Sequence, residues 1–148
     1  MKSNLDNFRK YCEKYQDTFG SMYSSEKHDA LVKRILQNPK LIGLRGIQFK
    51  YKEVRLIGKN KPGRIDLTFI TDEEISYICE IKASSKDGRG IETQLERYYG
   101  WIRDKFKITP KRIVVQLTKT GKLRKKIIPA EIEDIFQLIS KKNLENQI

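Results

Sequence analysis

The chain has 148 residues and a mass of 17.4 kDa, the size of one ordinary domain with a single core. Its 31 Lys and Arg outnumber 19 Asp and Glu, and the net charge of +12 points to a polyanionic partner, nucleic acid ahead of an anionic membrane surface. No apolar run approaches a membrane span, the N-terminus has no signal-peptide core, and two cysteines with one histidine exclude a disulfide framework and Cys-rich or His-rich metal sites, so a reducing, cytoplasmic setting is expected.

With no internal repeat and no Ser/Gly linker, residues 1–148 read as a single domain, 1–22 being a helical lead-in. Leu5, Phe8, Tyr11, Cys12, Tyr15 and Phe19 recur at helical spacing, so 3–19 is expected to be an amphipathic helix stopped by Gly20. Ser24 and Ser25 offer N-caps for a second helix with the stripe Leu31, Val32, Ile35 and Leu36, ended by Asn38-Pro39. Residues 47–56 alternate with period two and read as a strand, and Gly58–Gly63 has loop chemistry. Strands follow at 64–70 and 75–82, with a turn at 71–74 and a polar loop at 84–90. Helical spacing returns over 91–107, then a buried-type strand at 112–117, a basic hairpin-like loop at 119–126, and a closing amphipathic helix at 130–142. This order is that of an α/β fold.

Side chains alternate across a strand, so Arg64, Asp66 and Thr68 share one face and Ile65, Leu67 and Phe69 the other. The apolar set is expected to be buried, leaving Asp66 on a polar face in mid-strand, where a carboxylate is disfavoured. The next strand repeats the anomaly, with Glu80 and Lys82 on one face about 7 Å apart. Paired as a hairpin, the two strands set Asp66 beside Glu80. Two carboxylates brought together repel unless a cation lies between them, and Mg²⁺ takes such hard oxygen ligands. With a lysine beside it, this is a layout for phosphodiester hydrolysis. The same triplet also suits a plain salt bridge on a solvated sheet face.

The wider set is more specific. Glu26 lies on the helix before the sheet, followed by Gly63-Arg-Ile-Asp66-Leu, Glu80-Ile-Lys82 with Glu80 fourteen positions after Asp66, and Gln94 with Tyr98 on the next helix. Over about Ser24 to Leu117 the chain resembles the PD-(D/E)xK nuclease superfamily, most of all the nuclease domain of NucS-type endonucleases, which cut branched or mismatched DNA. The resemblance implies a restriction-endonuclease-like α/β core, with a mixed, mainly antiparallel sheet flanked by helices. It implies that Asp66 and Glu80 bind the metal, Mg²⁺ or Mn²⁺, with the Ile81 carbonyl completing the site. Lys82 would be the catalytic lysine, Glu26 an extra acidic position for a metal-bound water or a second metal, and Gln94 a neighbour of the scissile phosphate. Tyr98 is aligned one turn beyond Gln94, with core packing the expected role of its ring. Arg64 would clamp a phosphate or pair with Asp66. Two departures stand out. Ile65 replaces the proline of the superfamily's named motif, and only about two dozen residues precede Glu26, where NucS-type enzymes carry a separate N-terminal domain. Mismatch or flap specificity is therefore not carried over.

From Trp101 to Lys126 there are ten Lys and Arg against Asp104 as the one acid. Lys119, Lys122, Arg124, Lys125 and Lys126 form the densest stretch and are expected to contact backbone phosphates without reading sequence; a solubilising surface is the alternative. Cys79 points to the buried face and is expected in the core, and His28, alone on its helix, is expected at the surface or rim. The sequence thus points to a Mg²⁺-dependent DNA endonuclease. A catalytically silent DNA-binding module, or an accessory subunit with the same fold, is the alternative. A homodimer is a further expectation, because two active sites cut both strands of a duplex most simply.

Overall fold

The computed structural model describes residues 3–16, 26–58, 63–83 and 89–128. Helix α1 is Asn4–Tyr15, α2 is Glu26–Gln37, followed by a 3-10 turn at Pro39–Ile42. Strands β1 (Ile47–Leu56), β2 (Gly63–Thr71) and β3 (Ser76–Lys82) lead into α3 (Arg89–Phe106), then β4 (Lys111–Leu117) and β5 (Leu123–Ile128). The expected helix at 130–142, the Ser24/Ser25 cap and most of the 84–90 loop lie outside the described residues. The expected basic loop at 119–126 is a tight turn followed by an edge strand.

The five strands run in the order β1-β2-β3-β4-β5. Neighbours are antiparallel except β3 and β4, which are parallel and joined by α3 as a crossover. This is the mixed, mainly antiparallel, helix-flanked sheet expected from the sequence.

Both faces of the sheet are covered. On one side α1 and α3 enclose Phe8, Cys12, Ile70, Ile78, Leu95 and Ile102. On the other, α2 and the 3-10 turn enclose Val32, Ile35, Leu67, Phe69, Ile81 and Val115. The expectation of one buried and one solvated face is therefore corrected: residues that alternate away from Leu67 and Phe69, such as Thr68 and Ile70, are also buried, beneath α1 and α3. Ile65 joins the α1/α3 cluster with Val54 and Leu56 and not the cluster of Leu67. At this level β1 is kinked by Glu53, a non-glycine residue at φ 53°, and the β1–β2 pairing skips between Lys52–Leu67 and Val54–Ile65.

Helix α1 is an integral part of this core. Ser3 caps it, its hydroxyl accepting the Asp6 N–H at 3.0 Å. One turn from its end, the Tyr11 hydroxyl donates to the Arg55 carbonyl at 2.7 Å and accepts the Ile57 N–H at 2.8 Å, tying the helix to the end of β1. Among the described residues no helix is long and apolar enough to cross a membrane.

Candidate active site

The β2–β3 ladder runs from Ile70–Ser76 to Leu67–Cys79 and stops. One position further on, carboxylates take the place of the missing ladder bonds. Asp66 Oδ2 accepts the Ile81 N–H at 2.7 Å, and Glu80 Oε1 accepts the Asp66 N–H at 3.3 Å. The strands splay here, and the two acids expected side by side are in contact across the gap. Glu80 is only 6% exposed. Burial, and then the negative charge of Asp66, hold its carboxyl well above the usual carboxylate range. A proton or a cation relieves that repulsion.

Helix α2 brings a third group to the pair. His28 Nε2 lies 3.3 Å from Asp66 Oδ2, and Nδ1 lies 3.8 Å from an oxygen of Asp29. The hydrogen bond to Asp66 raises the imidazole pKa against the opposing pull of burial. His28 is partly buried beside the carboxylate pair, which narrows its expected place, surface or rim, to the rim of the site. A signal for this was present: His28, Leu31, Val32 and Ile35 are spaced as one helical stripe, so the histidine extends the inward face of α2 by a turn. Glu26, the acidic residue expected at the site, lies exposed in the first turn of α2, and no hydrogen bond or ion pair links it to Asp66 or Glu80.

From the other side, α3 contributes Gln94 and Tyr98. The fully buried Tyr98 hydroxyl accepts the Arg64 N–H at 3.3 Å and a hydrogen bond from Gln94 Nε2. Burial and the nearby Glu80 charge raise the phenol pKa. Tyr98 therefore both fills the core and positions Gln94. Gly63 is required by this packing, since a Cβ there would fall 2.5 Å from Tyr98 Cε1. The Arg64 guanidinium lies 3.9 Å from Glu53 Oε2. Glu53 is a buried acid that the sequence reading did not single out. Its signal is a slip of phase: Ile47, Phe49 and Tyr51 alternate, Glu53 occupies the next apolar slot, and the apolar series resumes at Val54 and Leu56.

Lys82, half-buried, ends β3 two residues after Glu80 and pairs in register with Gln116 of β4. The Ile81 side chain packs in the α2-side core. Lys119 and Lys122 are exposed at the β4–β5 turn, and Arg124 is exposed on β5. Lys125 Nζ donates to the Ile42 carbonyl at 2.8 Å, and Lys126 Nζ to Glu92 at 2.6 Å, so the basic stretch divides between the two faces of an edge strand. An open cleft of about 420 Å³ lies beside the splay, lined by Arg55, Leu56, Ile57, Gly63, Arg64, Gln94 and Tyr98.

Among the described residues no three His, Cys, Asp or Glu side chains are arranged as a metal cage. The donor chemistry of Asp66 and Glu80 nonetheless fits a hard cation. Mg²⁺ is commonly held by one or two carboxylates, with waters and substrate phosphate filling the remaining positions. The mutual repulsion that raises the Glu80 carboxyl is what such an ion would neutralise.

The fold and site together define an α/β chain with a carboxylate pair at a strand splay and a lysine beyond it. No protein-family model and no curated protein matches the chain significantly. Among solved structures it is similar to a repair endonuclease from Pyrococcus abyssi, with 20% identity over 69% of this chain and 42% of that chain and a TM-score of 0.49. It is also similar to the EndoMS protein of an EndoMS–double-stranded DNA complex, with 15% identity over 71% of this chain and 42% of that one and a TM-score of 0.44. The chain thus spans less than half the length of either.

Proposed function

We propose that the protein is a metal-dependent DNA endonuclease that hydrolyses phosphodiester bonds at the β2–β3 splay. The observation that carries this reading is the contact between the partly buried Asp66 and the buried Glu80 in mid-sheet, with Lys82 following Glu80 on the same strand face. A bound cation would relieve that repulsion and also engage phosphate, whereas an acid pair is a poor surface for a protein that only grips phosphate.

Asp66 and Glu80 would hold Mg²⁺ or Mn²⁺, the Ile81 carbonyl completing the set. When bound, such an ion supplies Lewis-acid stabilisation of charge at phosphorus and a water of lowered pKa. The chain's own residues do the rest. His28 and the Ile81 N–H fix the Asp66 carboxylate, so it meets its ligand without reorganising. Lys82 presents a cation to the phosphate oxygens and to the attacking water. Tyr98 holds the Gln94 amide at the cleft beside Arg64, where it can orient the phosphate flank. Arg64, oriented by Glu53, binds phosphate with a planar guanidinium. The exposed cations Lys119, Lys122 and Arg124, with Lys125 and Lys126, add sequence-independent attraction to DNA.

The test is to incubate the protein with labelled linear duplex, single-stranded, flap and branched DNA, in Mg²⁺, Mn²⁺ or EDTA. Cleavage that requires the cation supports the reading. Binding without turnover in any metal favours a silent DNA-binding module or accessory subunit. Gel filtration on DNA addresses the homodimer that paired cuts would call for.

A further inference from the structure

The strand register sets cations in a line across the end of the sheet. Arg55 of β1 pairs directly with Arg64 of β2. Lys82 of β3 pairs with Gln116 of β4, and Gln116 pairs with Arg124 of β5. The line is interrupted only between β2 and β3, where the ladder has already ended and Asp66 and Glu80 occupy the splay. By the usual strand spacing the row is about 19 Å across.

Its members stand at one end of the sheet and draw on both of its faces. Lys125 reaches the Ile42 carbonyl on the α2 side, so its neighbours Arg124 and Lys126 face the other way, and Lys126 meets Glu92 in the first turn of α3. Arg55 and Arg64 alternate with Val54, Leu56 and Ile65 of the α1/α3 core, so they leave their strands on the α2 face at the strand ends. Arg55, Arg64 and Gln94 converge on the open cleft at the same end of α3.

Arg55 and Arg64 are like charges directly opposite each other, an arrangement that destabilises a strand pair. It is nonetheless built rigidly. Tyr11 of α1 bonds the backbone on both sides of Leu56, which fixes the strand end that carries Arg55, and Glu53 fixes the Arg64 guanidinium. With the backbone of Arg55 fixed and the Arg64 guanidinium beside Glu53, two cations at one cleft are suited to an anion between them.

We infer that Arg55, Arg64, Lys82 and Arg124 form a phosphate track that carries a nucleic-acid backbone across the end of the sheet, with the phosphate to be cut at the β2–β3 gap. The inference rests on the endonuclease reading for the cut and names, for the same site, the path of the substrate. Arg55 binds phosphate on one side of the cut and Arg124 on the other. At about 3.4 Å of rise per nucleotide the row accommodates roughly five nucleotides.

The experiment is fluorescence anisotropy of a labelled DNA duplex in EDTA, repeated over a range of salt. The variants are Arg55→Gln, Arg124→Gln, Arg55→Lys and, as a control, Lys33→Gln on the exposed side of α2. Arg55→Gln and Arg124→Gln are expected to weaken binding about tenfold each, with the log–log salt slope reduced by about 0.9 for each phosphate that is no longer neutralised. Arg55→Lys should keep most of the affinity, which separates removal of the charge from misfolding, and Lys33→Gln should shift binding less than twofold. In a scan of single neutral methylphosphonates along the duplex, Arg55→Gln and Arg124→Gln should become insensitive at positions on opposite sides of one central phosphate. If Arg55→Gln binds like Lys33→Gln, or if both arginines map to the same side, the track is overturned, and DNA cleavage by the parent protein in Mg²⁺ would still stand. If the mapping holds and no metal supports cleavage, the track stands and the endonuclease reading falls.

Discussion

The His28 imidazole lies 3.3 Å from the Asp66 carboxylate, and it comes from a helix on the far side of the sheet from α3. It therefore locks α2 to the acid pair. A hydrogen bond to a charged group contributes about 1.5–3 kcal/mol. His28→Ala should lower stability by about that amount in metal-free protein. The bond to Asp66 raises the His28 pKa in the folded state. Its contribution is thus fully present below the unfolded value of about 6.5 and is lost as pH rises through the raised native value. Chemical denaturation of parent and variant in EDTA should show a gap that is widest near pH 6 and narrows towards pH 9. A gap that widens with pH would show that the imidazole acts as a neutral packing group.

Glu80 shifts stability in the same direction with pH, through a penalty that grows as it ionises. Its carboxyl pKa is raised in the fold by burial and by Asp66. Metal-free stability should therefore fall as pH rises above the unfolded carboxylate range of about 4.3. Glu80→Gln keeps the oxygen that accepts the Asp66 N–H and removes the charge, so it should raise the melting temperature at pH 7 in EDTA. Mn²⁺ should raise the melting temperature of the parent, by an amount equivalent to about 2.7 kcal/mol at a hundredfold excess over its Kd. It should leave Asp66→Asn unmoved. Differential scanning fluorimetry with and without Mn²⁺ reads both effects.

Gly63 is a packing requirement. A methyl at this position meets the Tyr98 ring at 2.5 Å, and that ring is buried and bonded to Arg64 and Gln94. Gly63→Ala should cost about 1–3 kcal/mol, in the range of overpacked cores. In a Tyr98→Leu background, where the ring is absent, the same change should cost less than half as much. Equal costs in both backgrounds would place the strain elsewhere.

Both thiols should be chemically silent. Cys12 and Cys79 are fully buried, and burial pushes both thiol pKa values well up. Native protein at pH 8 should give no fast reaction with a disulfide reagent, and denatured protein should titrate two thiols per chain. A fast native equivalent would mean that α1, which carries Cys12, detaches from the core.

Much of the fold was legible because its signals are local. Seven of the described elements have their apolar spacing written in the sequence, and the eighth, β5, reads as a basic loop because Arg124, Lys125 and Lys126 conceal its alternation. The contact between Asp66 and Glu80 was also legible, since two strands each placing an acid in mid-run can meet in a hairpin. What the sequence concealed depends on long-range packing. Asp66 and Glu80 were expected on an open face, yet helices cover both sides of the sheet, a fact set by chain topology. His28 and Glu53 reach the site through a helix end and a strand kink. Each left only a faint trace, an extended stripe in one case and a slipped phase in the other.

The central claim is that Asp66, Glu80 and Lys82 form a hydrolytic site. It is tested most directly by cleavage of branched and linear DNA in Mg²⁺ and in Mn²⁺, with parent, Asp66→Asn, Glu80→Gln and Lys82→Ala side by side and melting temperatures as the folding control. The account predicts cleavage by the parent that EDTA abolishes. It also predicts losses of a hundredfold or more, about 2.7 kcal/mol or more of transition-state stabilisation, in each folded variant. Parent and Glu80→Gln cutting at equal rates, or full cleavage by the parent in EDTA, would contradict it.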